Sequence, residues 1–165
     1  MKNLIWNGRQ IEPMSKILNR LYISGISVAK DLAKHNPNNI RFVINCTPEE
    51  IELPIKDFKV FTTRFEDGTV LDPMMVLMVI GKIHDLIELG NVLVCCHAGI
   101  SRSPGIVAAY LTRCGMSWDE SVEYVTDKRS IAMIHPIINL SIRQALGIAP
   151  TSSSLIQGDS NEVKD

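Results

Sequence analysis

The segment that most restricts this chain is Val92-Leu93-Val94-Cys95-Cys96-His97-Ala98-Gly99-Ile100-Ser101-Arg102-Ser103-Pro104. Val92-Leu93-Val94 is an all-apolar run of the kind found in a central strand, covered on both faces of a sheet. Beyond Ser103, the residues Ile106, Val107, Tyr110, Leu111 and Cys114 fall on one helical face. A buried strand therefore passes through a short turn straight into a helix. Such a turn aims successive backbone N–H groups into one concavity, where the helix dipole adds about half a positive charge. A phosphate dianion fits there. Gly99 permits loop conformations that a Cβ forbids, and Arg102 can close the nest with a bidentate fork that lysine cannot form. In that field Cys96 is expected to be a thiolate, nucleophilic at neutral pH.

Around this segment, β-rich runs at Leu21–Ile23, Ile40–Cys46 and Phe58–Thr62 join the strand at Asn91–Cys95. Ser27 to His35 reads as a helix. Asp72-Pro73 supplies an N-cap and a first-turn proline for a helix reaching Leu89 and closed by Gly90. Gly115 stops the helix that began at Ser103, and Ser117-Trp118-Asp119-Glu120 is a capping box for the next, through Arg129. A last helix is expected from Pro136 to Leu146. This succession predicts an α/β fold: a single central, mostly parallel sheet of about four to five strands flanked by helices. With 165 residues the chain fits one domain. Residues 1–149 are expected to form it, and 150–165, with Thr151-Ser152-Ser153-Ser154, to be a disordered tail.

Hydrophobic residues at 45% and charged residues at 21% are ordinary globular proportions, unlike those of a disordered chain or a membrane protein. The longest apolar run, Met74 to Ile80, falls far short of a bilayer span. Neither Met1-Lys2-Asn3-Leu4 nor the final Asp165 carries a targeting or lipidation pattern, so a cytoplasmic location is expected. Lys plus Arg (17) balance Asp plus Glu (18), so no nucleic acid and no membrane partner is expected, and anion binding has to be local. Cys46, Cys95, Cys96 and Cys114 make a poor disulfide framework and suit a reducing compartment. A zinc site at Cys95-Cys96-His97 fails because adjacent residues cannot all converge on one tetrahedral ion; no metal is expected.

On Cys96, Gly99, Arg102 and Ser103 the chain resembles the dual-specificity protein phosphatases of the cysteine-dependent Cys-x5-Arg protein tyrosine phosphatase superfamily. Their signature is Cys, five residues, Arg, then Ser or Thr, with Gly in the fourth place. Ala98 to Ser103 is similar to the loop of the MAP-kinase phosphatase branch, and Leu21-Tyr22-Ile23-Ser24-Gly25 to the opening strand of that fold. The resemblance covers residues 15 to 147 by ordered elements.

It implies a phosphomonoester hydrolase needing no cofactor, with phosphorylated protein as substrate, on phosphotyrosine and on phosphoserine or phosphothreonine. Cys96 would attack phosphorus to give a phosphocysteine. Arg102 and the loop from Cys96 through His97, Ala98, Gly99, Ile100 and Ser101 would hold the phosphate or another oxyanion. Asp67 would protonate the leaving oxygen and then, as base, activate water, and Ser103 would donate a hydrogen bond to the leaving thiolate. Asp67 is chosen from Phe65-Glu66-Asp67-Gly68, 29 residues before Cys96, in the loop that precedes the long helix. The competing Asp72 reads as a helix cap, and Glu66 would alternate away. The short stretch from Cys46 to Phe58 predicts a shallow cleft. Phosphoinositides, RNA 5′ ends and a non-catalytic phosphate-binding module are the alternatives; His97, Ala98 and Ser103-Pro104 favour protein substrates.

The resemblance departs at Cys95, where these phosphatases usually carry His. His97 is expected to point outward and lend its backbone amide. Cys46 ends its strand at the edge facing the nucleophile loop, so it is a candidate redox partner for Cys96, as in some prenylated relatives, or else a small buried residue. His35, His84 and His135 are expected to be structural, Cys114 to belong to the core, Met74, Met75 and Met78 to fill a packed helix, and Lys128 and Arg129 to be solvated.

Overall fold

The computed structural model describes residues 4–6, 9–11 and 13–149. Leu4–Trp6 (β1) and Arg9–Ile11 (β2) form a two-stranded antiparallel ribbon. Met14–Leu18 (β3), Leu21–Gly25 (β4), Ile40–Asn45 (β5), Lys59–Thr62 (β6) and Asn91–Cys96 (β7) form one sheet in the order β3-β4-β7-β5-β6. Within this five-stranded sheet only the β3–β4 pair is antiparallel. The helices are Ile26–Lys30 (α1), Pro73–Leu89 (α2), Arg102–Arg113 (α3), Trp118–Lys128 (α4) and Pro136–Ala145 (α5). The strand leading to Cys96 is thus the middle of a mostly parallel, helix-flanked sheet, as its apolar run predicts.

Side chains alternate across that sheet, and the two faces pack separate cores. Val92, Val94 and Cys96 face the large core built with α2 to α5, joined by Phe42, Ile44 and Cys46 of the neighbouring strand. Leu93 and Cys95 face the smaller core with Ile26, Ala29, Leu32 and Phe58. The same alternation that delivers Cys96 to one side therefore sends Cys95 to the other. Gly25 pairs with Cys96 and Asn45 with Cys95, so three strands end level at the carboxyl edge of the sheet, where sites gather in such folds.

Several local expectations need correction. The helix expected over Ser27–His35 ends at Lys30, and the chain continues in turns bonded from Lys34 and His35 to the Asp31 carbonyl. Pro37 disfavours helical geometry in the residue before it, and Asn36 instead bonds both backbone groups of Ile40. Strand β3 was hidden because a polar residue, Ser15, holds one of its two buried positions beside Ile17. Cys114 is exposed at the end of α3, where the helix runs out before its apolar face can cover it. Met74 and Met78 lie on the outer face of α2, 73% and 56% exposed. Arg129 is buried. The expected tail, 150–165, lies outside the described residues. Among the described residues no helix is long and apolar enough to cross a membrane.

Candidate active site

The loop between β7 and α3 is defined by where its carbonyls go. The His97 carbonyl accepts from the Ile26 amide at 3.1 Å, and the Ile100 carbonyl from the Met133 amide at 2.7 Å. Between them, the Arg129 guanidinium donates to the Ala98 carbonyl (Nη2, 3.4 Å) and the Gly99 carbonyl (Nε, 2.6 Å). Four successive carbonyls are therefore held toward the surrounding protein. A trans peptide points its N–H opposite to its C=O, so the amides of Ala98, Gly99, Ile100 and Ser101 face the other way, and Ala98, Ile100 and Ser101 line the cleft on that side. Among the described residues these four amides have no protein acceptor. Unpaired amides in succession at the N-terminus of a twelve-residue helix are the backbone arrangement that an anion nest requires.

The nest tolerates no side chain at Gly99. Its φ is +69°, and a Cβ there would lie 2.6 Å from Arg129 Nη2 and 2.7 Å from the Ser24 backbone. Ser101 fixes the far end, its hydroxyl accepting from the His135 amide at 2.9 Å.

Cys96 lies at the floor, 3% exposed, with the Ser103 hydroxyl donating to its Sγ at 3.2 Å. Arg102 is also buried, and its Nη1 donates to the Phe65 carbonyl at 2.7 Å. Its Nε lies 3.3 Å from Asp67 Oδ1, close enough for an ion pair but not aligned for a hydrogen bond. With Asp67 74% exposed, the contact is screened and weak. Asp67, Gly68, Cys96, Arg102 and the loop residues line an open cleft of about 500 Å³. Asp72 does what its proline neighbour suggests: its Oδ1 accepts from the Met75 amide at 2.9 Å and caps α2. Glu66 is exposed.

His97 points outward, 75% exposed, 4.0 Å from Glu49, which also pairs with Lys30. Cys46 is fully buried, and its amide donates to the Cys95 carbonyl at 2.7 Å. Burial, reinforced by the negative charge available on Cys96 and Cys95, raises the Cys46 thiol well above its ordinary range, and Arg102 opposes this only in part. Burial likewise pushes the Cys95 thiol up, so it stays neutral. Among the described residues no group of three or more His, Cys, Asp or Glu side chains converges on a metal-sized site.

Two features escape a reading of the sequence. The first is Arg129, expected in solvent and found 3% exposed behind the loop, with its Nη1 donating to the Ser15 hydroxyl at 3.0 Å. The second is the wall formed by Met133, Ile134, His135 and Pro136 opposite the Asp67 loop. A signal for the wall was present in His135-Pro136, where the histidine Nδ1 accepts from the Ile137 amide and caps α5.

A family model described as the dual specificity phosphatase catalytic domain matches residues 21–143, from the start of β4 into α5. Protein-tyrosine-phosphatase MKP1 of Arabidopsis thaliana is 34% identical over 125 residues, 72% of this chain and 16% of that protein. Dual specificity protein phosphatase 15 of Mus musculus is 31% identical over 127 residues, 74% of this chain and 53% of that protein. The chain thus spans only about half, or less, of the length of these relatives. The crystal structure of DUSP15 superposes with a TM-score of 0.66 at 28% identity, covering 79% of this chain and 85% of that one. Fold, loop and family match agree, and the chain belongs to the dual specificity phosphatase family.

Proposed function

We propose that this chain is an active phosphomonoester hydrolase of phosphotyrosine and phosphoserine or phosphothreonine in proteins, working without metal through a phosphocysteine at Cys96. The observation that carries this reading is one cleft lined by Arg102, Asp67 and a loop whose four amides have no protein acceptor among the described residues, over a buried cysteine. Those donors match the equatorial oxygens of a phosphoryl group in transfer and require no reorganisation when charge develops. Cys96 attacks phosphorus, and Asp67 gives its proton to the departing side-chain oxygen. Asp67 then takes a proton from water, which displaces the thiolate from phosphorus, and Ser103 steadies that thiolate through its 3.2 Å contact. The four free cysteines support action in a reducing compartment, the cytoplasm.

The cleft lining supports protein rather than phosphoinositide substrates. Among the described residues its lining carries no Lys or Arg apart from Arg102, and Ala98, Ile100, Met133, Ile134 and Pro136 make its walls largely apolar. A second phosphate on the substrate would find no further Lys or Arg among them. The test is turnover of p-nitrophenyl phosphate, matched phosphotyrosine and phosphothreonine peptides, and a soluble phosphoinositide, by wild type and Cys96→Ser. Activity on both peptides that vanishes in Cys96→Ser supports the reading. Preference for the phosphoinositide redirects the substrate class, and turnover surviving in Cys96→Ser sinks the mechanism.

Cys46 shares the face of the sheet that carries Cys96, which supports a redox role. Peroxide oxidises the Cys96 thiolate to a sulfenic acid; the Cys46 thiol then forms the S–S bond with loss of water, and dithiothreitol reverses it. Peptide mapping after mild peroxide should yield a Cys46–Cys96 peptide, and Cys46→Ser should recover activity less fully than wild type. Equal recovery without that peptide leaves Cys46 as a core residue.

A further inference from the structure

Arg129 is a cation buried behind the loop. It ends α4, is 3% exposed, and among the described residues forms no ion pair with a carboxylate. A guanidinium taken out of water without a counter-charge costs several kcal/mol, and an apolar side chain would fill the same volume without that cost. Burial depresses its pKa to about 10, and the charge of Cys96 opposes that shift, so it stays protonated at neutral pH and feels the reaction centre.

Its hydrogen bonds show where the charge is spent. Nε and Nη2 go to the Gly99 and Ala98 carbonyls, while Nη1 is anchored on Ser15 of β3. Those two carbonyls belong to the peptide groups whose N–H ends are the amides of Ile100 and Gly99, two of the four loop amides without a protein acceptor among the described residues. A cation on a peptide oxygen draws electron density through the C–N bond and makes the N–H at the other end a stronger donor. Nearby, Arg102 reaches the cleft itself, Asp67 and His97 are largely exposed, His135 caps α5, and Cys95 and Cys46 are held neutral. Cys95, immediately before the nucleophile, is neutral and supplies no positive charge. The guanidinium behind the loop is then the second buried cation of the site.

We propose that Arg129 is a positioning residue for the oxyanion: from behind the loop it fixes, and through two peptide groups polarises, the Gly99 and Ile100 amides that bind phosphate. This rests on the phosphatase reading. The experiment measures orthovanadate affinity, kcat and KM on p-nitrophenyl phosphate, and folding by circular dichroism, for wild type, Arg129→Met, Arg129→Lys and Ser15→Ala. Arg129→Met should bind vanadate about 10- to 100-fold more weakly, the range for loss of a charged hydrogen bond. Arg129→Lys, which keeps the charge but not the fork, should fall between, and Ser15→Ala should lose a few-fold. A folded Arg129→Met that binds vanadate within about twofold of wild type overturns the proposal. If Arg129→Met fails to fold, vanadate binding within about twofold by both Arg129→Lys and Ser15→Ala overturns it as well. A wild type that neither binds vanadate nor turns over phosphate fails at the earlier step, and the inference falls with it.

Discussion

The two loops that meet at the cleft are built in opposite ways. Residues 97–101 are tied at every step: four carbonyls, the Ser101 hydroxyl and the Gly99 backbone are each held by neighbouring elements. Residues 66–70 are exposed throughout and held more loosely: beyond the screened Arg102–Asp67 ion pair and an internal bond from the Thr69 hydroxyl to the Glu66 carbonyl, they are tied at their flanks, by Arg102 to the Phe65 carbonyl and by the Leu71 amide to the Ser141 hydroxyl at 3.0 Å. Gly68 has a φ of +65° and open space around its α-carbon, so the tip is shaped by its own backbone and not by packing. Binding an oxyanion rewards donors fixed before the charge arrives, whereas protonating a departing group rewards a side chain that can close over substrate and withdraw. On the proposed function, one loop is the fixed receptor and the other the arm.

That contrast predicts a graded set of losses. Asp67→Asn, on the arm, should slow a phosphoserine peptide by roughly 10²- to 10⁴-fold, the worth of general acid catalysis, with much less effect on an aryl phosphate. Vanadate affinity should barely change. Equal small losses on both substrates would move the acid elsewhere. Ser103→Ala, beneath the receptor, should slow release of the phosphoryl group by about 10- to 100-fold, since a hydrogen bond to a charged sulfur is lost. Pre-steady-state kinetics should show a product burst that wild type lacks or shows weakly; an unchanged steady state refutes the role. Asp72→Ala, at the root of the arm, should lower stability by about 1 kcal/mol through the lost helix cap. Denaturant unfolding should register it while kcat holds, and a collapse of kcat would mean that Asp72 is the acid.

What could be read from the sequence follows the same division. The strand, turn and helix around Cys96 are set by neighbours in the chain: an apolar run, a glycine and a helix start within thirteen residues. The caps at Asp72 and Ser117 are equally local, each an acceptor three residues from its donor. Arg129 reads as solvated because its partners lie 30, 31 and 114 residues away, and nothing near it in sequence distinguishes it from a solvated helix end. Ser15 hid β3 for the matching reason, since its burial makes sense only once the guanidinium is placed. Hydrophobicity alone predicts that Met74 and Met78 fill a packed helix, but α2 buries only the face that carries Val76, Val79, Ile80, Ile83 and Leu86. The cleft wall at Met133 to Pro136 depends on α5 folding back over α3, which no local pattern specifies.

The central claim is that the backbone nest serves a covalent step on Cys96, and trapping that intermediate tests it most directly. Enzyme mixed with an aryl phosphate is quenched in acid within the first turnover, digested, and mapped by mass spectrometry. The account predicts phosphate on the peptide that contains Cys96, in an amount approaching one per active site, increased by Ser103→Ala and absent from Cys96→Ser. Turnover in wild type with no phosphate on that peptide under any quench time, or with phosphate on another residue, would contradict it.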